Sequence, residues 1–138
     1  MTYIGDYIIQ TLEEQKYPCS VTVRDYYKVQ KITPPLITVQ EIATSSGVEL
    51  DNQPMITRNT FQIEVLAKAK VISGKTVSGI DLAKAIIQIA DKAVNTEYGL
   101  TMNGDVTVAP YSDPTVTRIL ARYTVYIDER TNYLYRRI

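Results

Sequence analysis

The stretch from Val77 to Tyr98 admits one regular conformation. Ile80, Ala83, Ile87, Ala90 and Val94 recur at spacings of three and four residues, and Ile86 and Ala93 widen the stripe. A helix gathers these side chains on one face, and a strand does not. Ser78 with Asp81 three positions on has the form of a capping box. Gly99 is the residue type that ends a helix in a left-handed turn. An apolar stripe of this length has to be covered, and the flanking sequence shows by what.

Both flanks alternate with a period of two. In Arg58–Lys70, "RNTFQIEVLAKAK", Phe61, Ile63, Val65 and Ala67 alternate with Thr60, Gln62, Glu64 and Leu66. This predicts a strand with one buried and one wet face. In Thr115–Asp128, Ile119, Ala121, Tyr123, Val125 and Ile127 alternate with Arg118, Leu120, Arg122, Thr124 and Tyr126. The pattern is the same. Asp105–Ala109 reads as a short strand with Val106 and Val108 inward, followed by a turn around Pro110–Pro114.

The N-terminal part is shorter in its periods. Ile4, Ile8 and Leu12, with Tyr7 and Ile9, predict an amphipathic helix over Thr2–Lys16 that carries Glu13 and Glu14 on its wet side and ends before Pro18. Val21–Ile32 and Leu36–Ile42 are rich in Val, Ile, Thr and Tyr and read as strands, separated by a turn at Pro34–Pro35. Residues 43–57 lack a clear period and carry Ser, Gly, Asp, Asn and Pro, which predicts a long protruding loop. Residues 129–138 form a basic, tyrosine-rich tail. The order is helix, three strands, helix, two strands. It predicts a single α+β domain over residues 1–138, with a mostly antiparallel sheet of about five strands. The N-terminal helix and the long helix pack on one face of it.

Composition removes several functions. The 138 residues contain 15 Lys plus Arg and 15 Asp plus Glu, so the net charge is zero. A module dedicated to gripping nucleic acid needs a basic face. Histidine is absent, which takes away the commonest general base and metal ligand, and every nucleophile–histidine arrangement. The single cysteine, Cys19, allows no internal disulfide and suits a cytosolic context. The first residues have neither the basic start nor the apolar run of a signal peptide, and no run of the chain is long and apolar enough for a membrane helix. Eleven tyrosines against one Phe and no Trp suit surfaces buried only when a partner arrives.

Candidate chemistry is sparse. "SGKT" at Ser73–Thr76 lies between a strand and a helix, where a phosphate-binding loop belongs, and Asp128 ends a strand as a magnesium-holding acid would. The motif needs a glycine five residues before Gly74, and that position is Ala69. Gly74 and Thr76 are expected to serve a turn and the start of the helix. Glu13–Glu14 and Asp128–Glu129 are sequence neighbours that point apart, and Asp51 with Asn52 offers too few oxygens for a hard cation. No catalytic, cofactor-binding or metal-ligating residue is assigned, and a small ligand- or nucleotide-binding domain using the SGKT turn stands as the reading from another class.

The mixed face of Arg118, Leu120, Arg122, Thr124 and Tyr126, with Gln62 and Glu64 beside it, has two readings. It is a solvated outer sheet face, or it is a subunit interface, for which Arg and Tyr are the enriched residue types. Arg118 or Arg122 against Glu64 would set a polar register, within one subunit or between two.

The segment Pro35–Ile42, the long loop, Phe61–Lys70 and the helix from Ser78, in that order and at this size, resemble the tail-terminator (tail completion, or head–tail joining) proteins of long-tailed bacteriophages. The resemblance covers nearly the whole chain as an order of elements. It implies a structural virion protein, present in the tail or neck and assembled in the host cytoplasm. It also implies a hexameric ring that caps the tail tube, stops its polymerisation and offers the head connector a docking surface. DNA would pass the lumen without specific binding, and no membrane is involved. A neck adaptor or stopper, or a baseplate component, is the neighbouring reading. Expected subunit or tube contacts are Gln62, Glu64, Arg118, Arg122 and Tyr126 on the sheet, Glu49 and Asp51 in the loop, and Tyr133, Tyr135 and Arg136 in the tail.

Overall fold

The computed structural model of the chain describes residues 4–50, 53–128 and 133–135, with side chains over 5–42 and 56–128. Its long helix, α2, spans Gly79–Tyr98. Ser78 Oγ accepts the Asp81 N–H at 3.2 Å, and Gly99 closes the helix in the left-handed conformation at φ 68°. Leu82, Ala83, Ile86, Ile87, Ala90, Ala93 and Val94 are buried. Ile80, expected in the stripe, is 39% exposed. At roughly 100° per residue it lies at the margin of the buried arc, and Leu82 takes the place given to it.

The N-terminal helix, α1, runs Ile4–Glu13 and buries Ile8 and Leu12. The strands are β1 (Thr22–Asp25), β2 (Leu36–Leu50), β3 (Gln53–Ala67), β4 (Lys70–Ile72), β5 (Lys75–Val77), β6 (Thr107–Ala109), β7 (Thr117–Asp128) and β8 (Tyr133–Tyr135). The main sheet has the order β1-β2-β3-β7-β6, and β8 joins β7 further along the edge that β6 uses. Among the described residues only β1 and β2 pair in parallel. The fold is therefore α+β with a mostly antiparallel sheet and a short and a long helix.

Both helices lie on one sheet face. There Val23, Ile37, Val39, Phe61, Ile63, Val65, Ile119, Ala121, Tyr123 and Val125 meet Leu82, Ile86, Ile87, Ala90 and Ile8 in one apolar cluster. Two tyrosines join the packed elements with their polar tips, and a third closes the end of α1. Tyr98 Oη donates to the Tyr7 carbonyl at 2.9 Å and lies 2.8 Å from Thr11 Oγ1, which joins α2 to α1. Tyr123 Oη donates to Asp91 Oδ1 at 2.8 Å, which joins β7 to α2. Tyr17 Oη donates to the Leu12 carbonyl at 2.6 Å, which also accepts the Gln15 N–H at 3.3 Å, closing the end of α1. The approach of α2 to the sheet is tight at its start, where a Cβ on Gly79 would come within 3.1 Å of both the Ala67 carbonyl oxygen and Thr117 Oγ1.

Several expectations need correction. Residues 43–57 are not a loop, because β2 runs on to Leu50 and β3 begins at Gln53, giving a hairpin of two 15-residue strands. The ladder slips at Glu41/Ala43, Ser46/Val48 and Val48/Glu49. Each slip inserts a residue and resets the alternation, which erases the period from the sequence. Val21–Ile32 is a strand only over Thr22–Asp25; Asp25 Oδ1 then accepts the Tyr27 N–H and starts a 3₁₀ turn over Tyr26–Lys28. Val108 is not inward but 55% exposed, because β6 is a three-residue edge strand; Val106 just before it packs on the core. Among the described residues, no helix is long and apolar enough to cross a membrane.

Candidate functional site

The outer face of the sheet, opposite the helices, carries five of the ten residues expected to make contacts: Gln62, Glu64, Arg118, Arg122 and Tyr126. Register brings Leu36, Leu66 and Arg118 into one row, Thr38, Glu64 and Leu120 into the next, and Gln40, Gln62 and Arg122 into a third. Arg118 reaches diagonally to Glu64, with Nε 2.6 Å from Oε2. Glu64 Oε1 accepts from Thr38 Oγ1 at 3.5 Å, and Arg122 Nε donates to Gln62 Oε1 at 3.2 Å. The polar register is thus made within the chain.

This face is not wet where it was expected to be. Gln62 and Glu64 are each only 6% exposed. The crossover from β1 to β2 passes over this side, and Val29 from it packs with Tyr111 on a second small cluster of Leu36, Leu66 and Val116. A carboxylate so covered is tolerable only with a cation and hydrogen bonds beside it, which Arg118 and Thr38 supply. Gln62 and Glu64 are therefore internal fasteners and not contacts awaiting a partner. Arg122 and Tyr126 are exposed, and Arg118 is partly so.

The other expected contacts divide. Glu49 lies near the end of β2, and Tyr133 and Tyr135 lie in β8, opposite Asp128 and Tyr126; their side chains lie outside the description. Asp51 and Arg136 lie outside the described residues. The SGKT stretch forms the turn of the β4–β5 hairpin, with Ile72 opposite Lys75 and with Ser73 at φ 51° and Gly74 at φ 79°. Two successive positive φ values make a type I′ turn. The cap of α2 lies beyond it at Ser78, so these amides serve a hairpin and not the mouth of a helix.

Perturbed groups here have structural causes. Burial pushes the Tyr17 hydroxyl up to about 12 and also raises Tyr98. Tyr123 is raised by burial and then by Asp91. Asp113 is held below the ordinary carboxylate range, first by hydrogen bonds from Thr115 and then by Lys68, whose Nζ is 3.6 Å away.

Sequence reasoning missed the surface around the crossover. Tyr26 and Tyr27 are exposed and meet edge to face with ring centres 5.4 Å apart. Tyr27 Oη donates to the Glu41 carbonyl at 3.1 Å and lies 3.4 Å from Gln40 Nε2. It thereby covers the edge of β2 just beyond Val39, where β1 stops. Among the described residues no strand pairs with that edge of β2 from Gln40 to Leu50. Arg24, Lys28 and Lys31 surround the same crossover and are exposed. The signal was legible as a charge segregation: no Lys or Arg occurs from Ile32 to Thr57, directly after these three cations.

No protein-family model matches the chain, and no curated protein matches it.

Proposed function

We propose that this chain is a non-enzymatic virion assembly protein, a tail terminator. Its subunits close into a ring on the end of a phage tail tube, stop tube growth and present a docking surface for the head connector. The observation that carries the reading is the β2–β3 hairpin, a ribbon of two 15-residue strands whose outer edge is covered by β1 only from Leu36 to Val39. A long strand edge without a partner strand is a template for pairing or contact with another chain. A ring subunit needs two different surfaces that meet by rotation, and it needs no catalytic group. The exposed Arg122 and Tyr126 and the crossover tyrosines are residue types favoured at such contacts.

The test is assembly. Light scattering on the purified chain, alone and with the tail-tube protein of the same phage or prophage, is expected to show a ring-sized oligomer, and electron microscopy is expected to show capped tubes that no longer elongate. A chain that stays strictly monomeric in both conditions, with tubes growing unchecked, refutes the reading.

A further inference from the structure

Two adjoining hollows lie where the β1–β2 crossover passes the outer face, and they differ in chemistry. One, of about 290 Å³, is walled by Tyr26, Val29, Ile32 and Leu66, with Glu64 at its polar side. The other, of about 310 Å³, is lined by Arg24, Lys28 and Lys31 with the hydroxyls of Thr22 and Thr33, and no carboxylate lines it. They share Val29, Gln30 and Leu36. Arg24 Nη1 donates to the Val23 carbonyl at 2.8 Å, which steadies the guanidinium against its own strand. Among the described residues Arg24, Lys28 and Lys31 make no ion pair. An occupant that fills both hollows offers apolar and acidic groups side by side.

The chain carries such a surface on α1. Gly5, Ile8 and Leu12 face the core, while Asp6, Tyr7, Gln10 and Glu13 are exposed on the opposite arc. Glu14 extends that arc by one residue, its N–H bonded to the Gln10 carbonyl at 3.3 Å. Tyr7 is 49% exposed, so an aromatic ring stands free among the carboxylates. The helix contains no Lys or Arg, and among the described residues Asp6, Glu13 and Glu14 make no ion pair. Tyr98 is raised first by burial and also by Glu97 and Glu14, so the acidic face continues onto the end of α2. The zero net charge thus hides a segregation, with acid on the helix layer and base on the outer sheet face. The two cannot meet within one copy. Ile8 and Leu12 pack α1 on the side of Val23, whereas Thr22, Arg24 and the crossover lie on the other side of the same strand. We infer that the acidic face of α1 in one copy docks on the crossover hollows of a second copy, with Glu13 and Glu14 against Arg24, Lys28 and Lys31 and with Tyr7 toward the apolar hollow. Helix and hollows are unlike surfaces, as a ring contact requires. This deepens the ring reading by naming its two surfaces, and rests on it for closure.

Charge reversal tests the contact. Sedimentation velocity over a concentration series compares the wild-type chain with Glu13→Lys/Glu14→Lys and with Lys28→Glu/Lys31→Glu, circular dichroism confirming that each variant is folded. Lysines at 13 and 14 sit at the end of α1, where the helix dipole favours cations, so the helix itself is not weakened. Each pair of reversals is expected to weaken self-association on the order of tenfold or more, with added salt weakening the wild type in the same direction. An equimolar mixture of the two variants restores complementary helices and hollows in alternate copies and is expected to reassemble, as is the chain with all four reversals. Wild-type behaviour of either single set, failure of both restorations, or a wild-type chain that stays monomeric at every concentration overturns the contact. Rings that form and cap tubes with α1 reversed refute the contact and leave the ring reading standing. A wild-type dimer that obeys the reversals yet caps no tube keeps the contact and removes the ring reading. Two results give the hollows to another occupant and likewise overturn the contact, each with self-association unchanged in Lys28→Glu/Lys31→Glu. One is loss of capping, which assigns them to the tube protein; the other is loss of saturable binding to a DNA duplex, which assigns them to nucleic acid. A wild-type chain that neither associates nor caps removes both readings.

Discussion

Arg118→Leu probes whether the outer sheet face is sealed. Glu64 is 7% exposed in its side chain and depends on Arg118 Nε at 2.6 Å for compensation, with Thr38 a long second donor at 3.5 Å. Removing one partner of a buried pair costs about 3–5 kcal/mol, because the other charge is left uncompensated. Arg118 keeps 28% of its side chain in solvent, so water can follow into the vacated space, and about 2–3 kcal/mol is expected. Glu64→Leu leaves an arginine that can turn outward, for about 1–2 kcal/mol, and the double variant, having no charge to strand, is expected to cost about 1 kcal/mol. The cycle then gives a coupling of about 2–4 kcal/mol, against under about 1 kcal/mol for an exposed pair. Urea unfolding followed by circular dichroism at fixed protein concentration measures it. In thermal melts Arg118→Leu is expected to lower Tm by roughly 8 °C, at ~3 °C per kcal/mol for a chain of this size. A coupling below about 0.5 kcal/mol would show that water reaches Glu64 freely and would refute the claim that the crossover covers this face.

Three further outcomes follow from the geometry. Gly79→Ala gains helix propensity of up to ~1 kcal/mol, yet its Cβ would press on the Ala67 carbonyl and Thr117 Oγ1 at 3.1 Å. Net destabilisation of about 1 kcal/mol is expected in the same urea assay, and a stabilised variant would show that the start of α2 moves freely. Tyr17 is raised from 10 to about 12 by burial; its contribution is whole below pH 10 and is lost as pH rises from 10 to 12. Tyr17→Phe is therefore expected to flatten the fall in stability over that window, and an unchanged alkaline limb would contradict the assignment. Finally, titration with magnesium and nucleoside triphosphate is expected to show no saturable binding, since Ser73–Thr76 is a hairpin turn; micromolar affinity abolished by Lys75→Ala would reverse that reading.

Long, regular periods were legible from sequence because each implies a single buried face. The stripe of α2, its caps at Ser78 and Gly99, and the inward set Ile119–Ile127 on β7 all lie where local pattern and tertiary burial agree. Failures occurred where a third layer or an insertion intervenes. Glu64 and Gln62 look solvent-facing by residue type, and nothing local announces that a chain segment centred on Val29, some 35 residues earlier, will cover them. The hairpin is hidden in the sequence because three register slips break its alternation, and the short strands that flank the type I′ turn at Ser73–Gly74, three residues each, are too brief to show a period.

What the amino-acid sequence by itself determines is the class and the inner face: two helices, a mostly antiparallel sheet, and the apolar residues that join them, because burial of one face is written into spacing. Only the tertiary structure decides what the other face is. Pairing 36–50 with 53–67 turns a polar, unpatterned stretch into a long two-stranded hairpin, and the parallel return from β1 to β2 closes one end of that face over an ion pair while gathering three cations beside it. Those are long-range placements. They depend on which strand lies beside which, a choice made by the whole sheet and recorded at no single position.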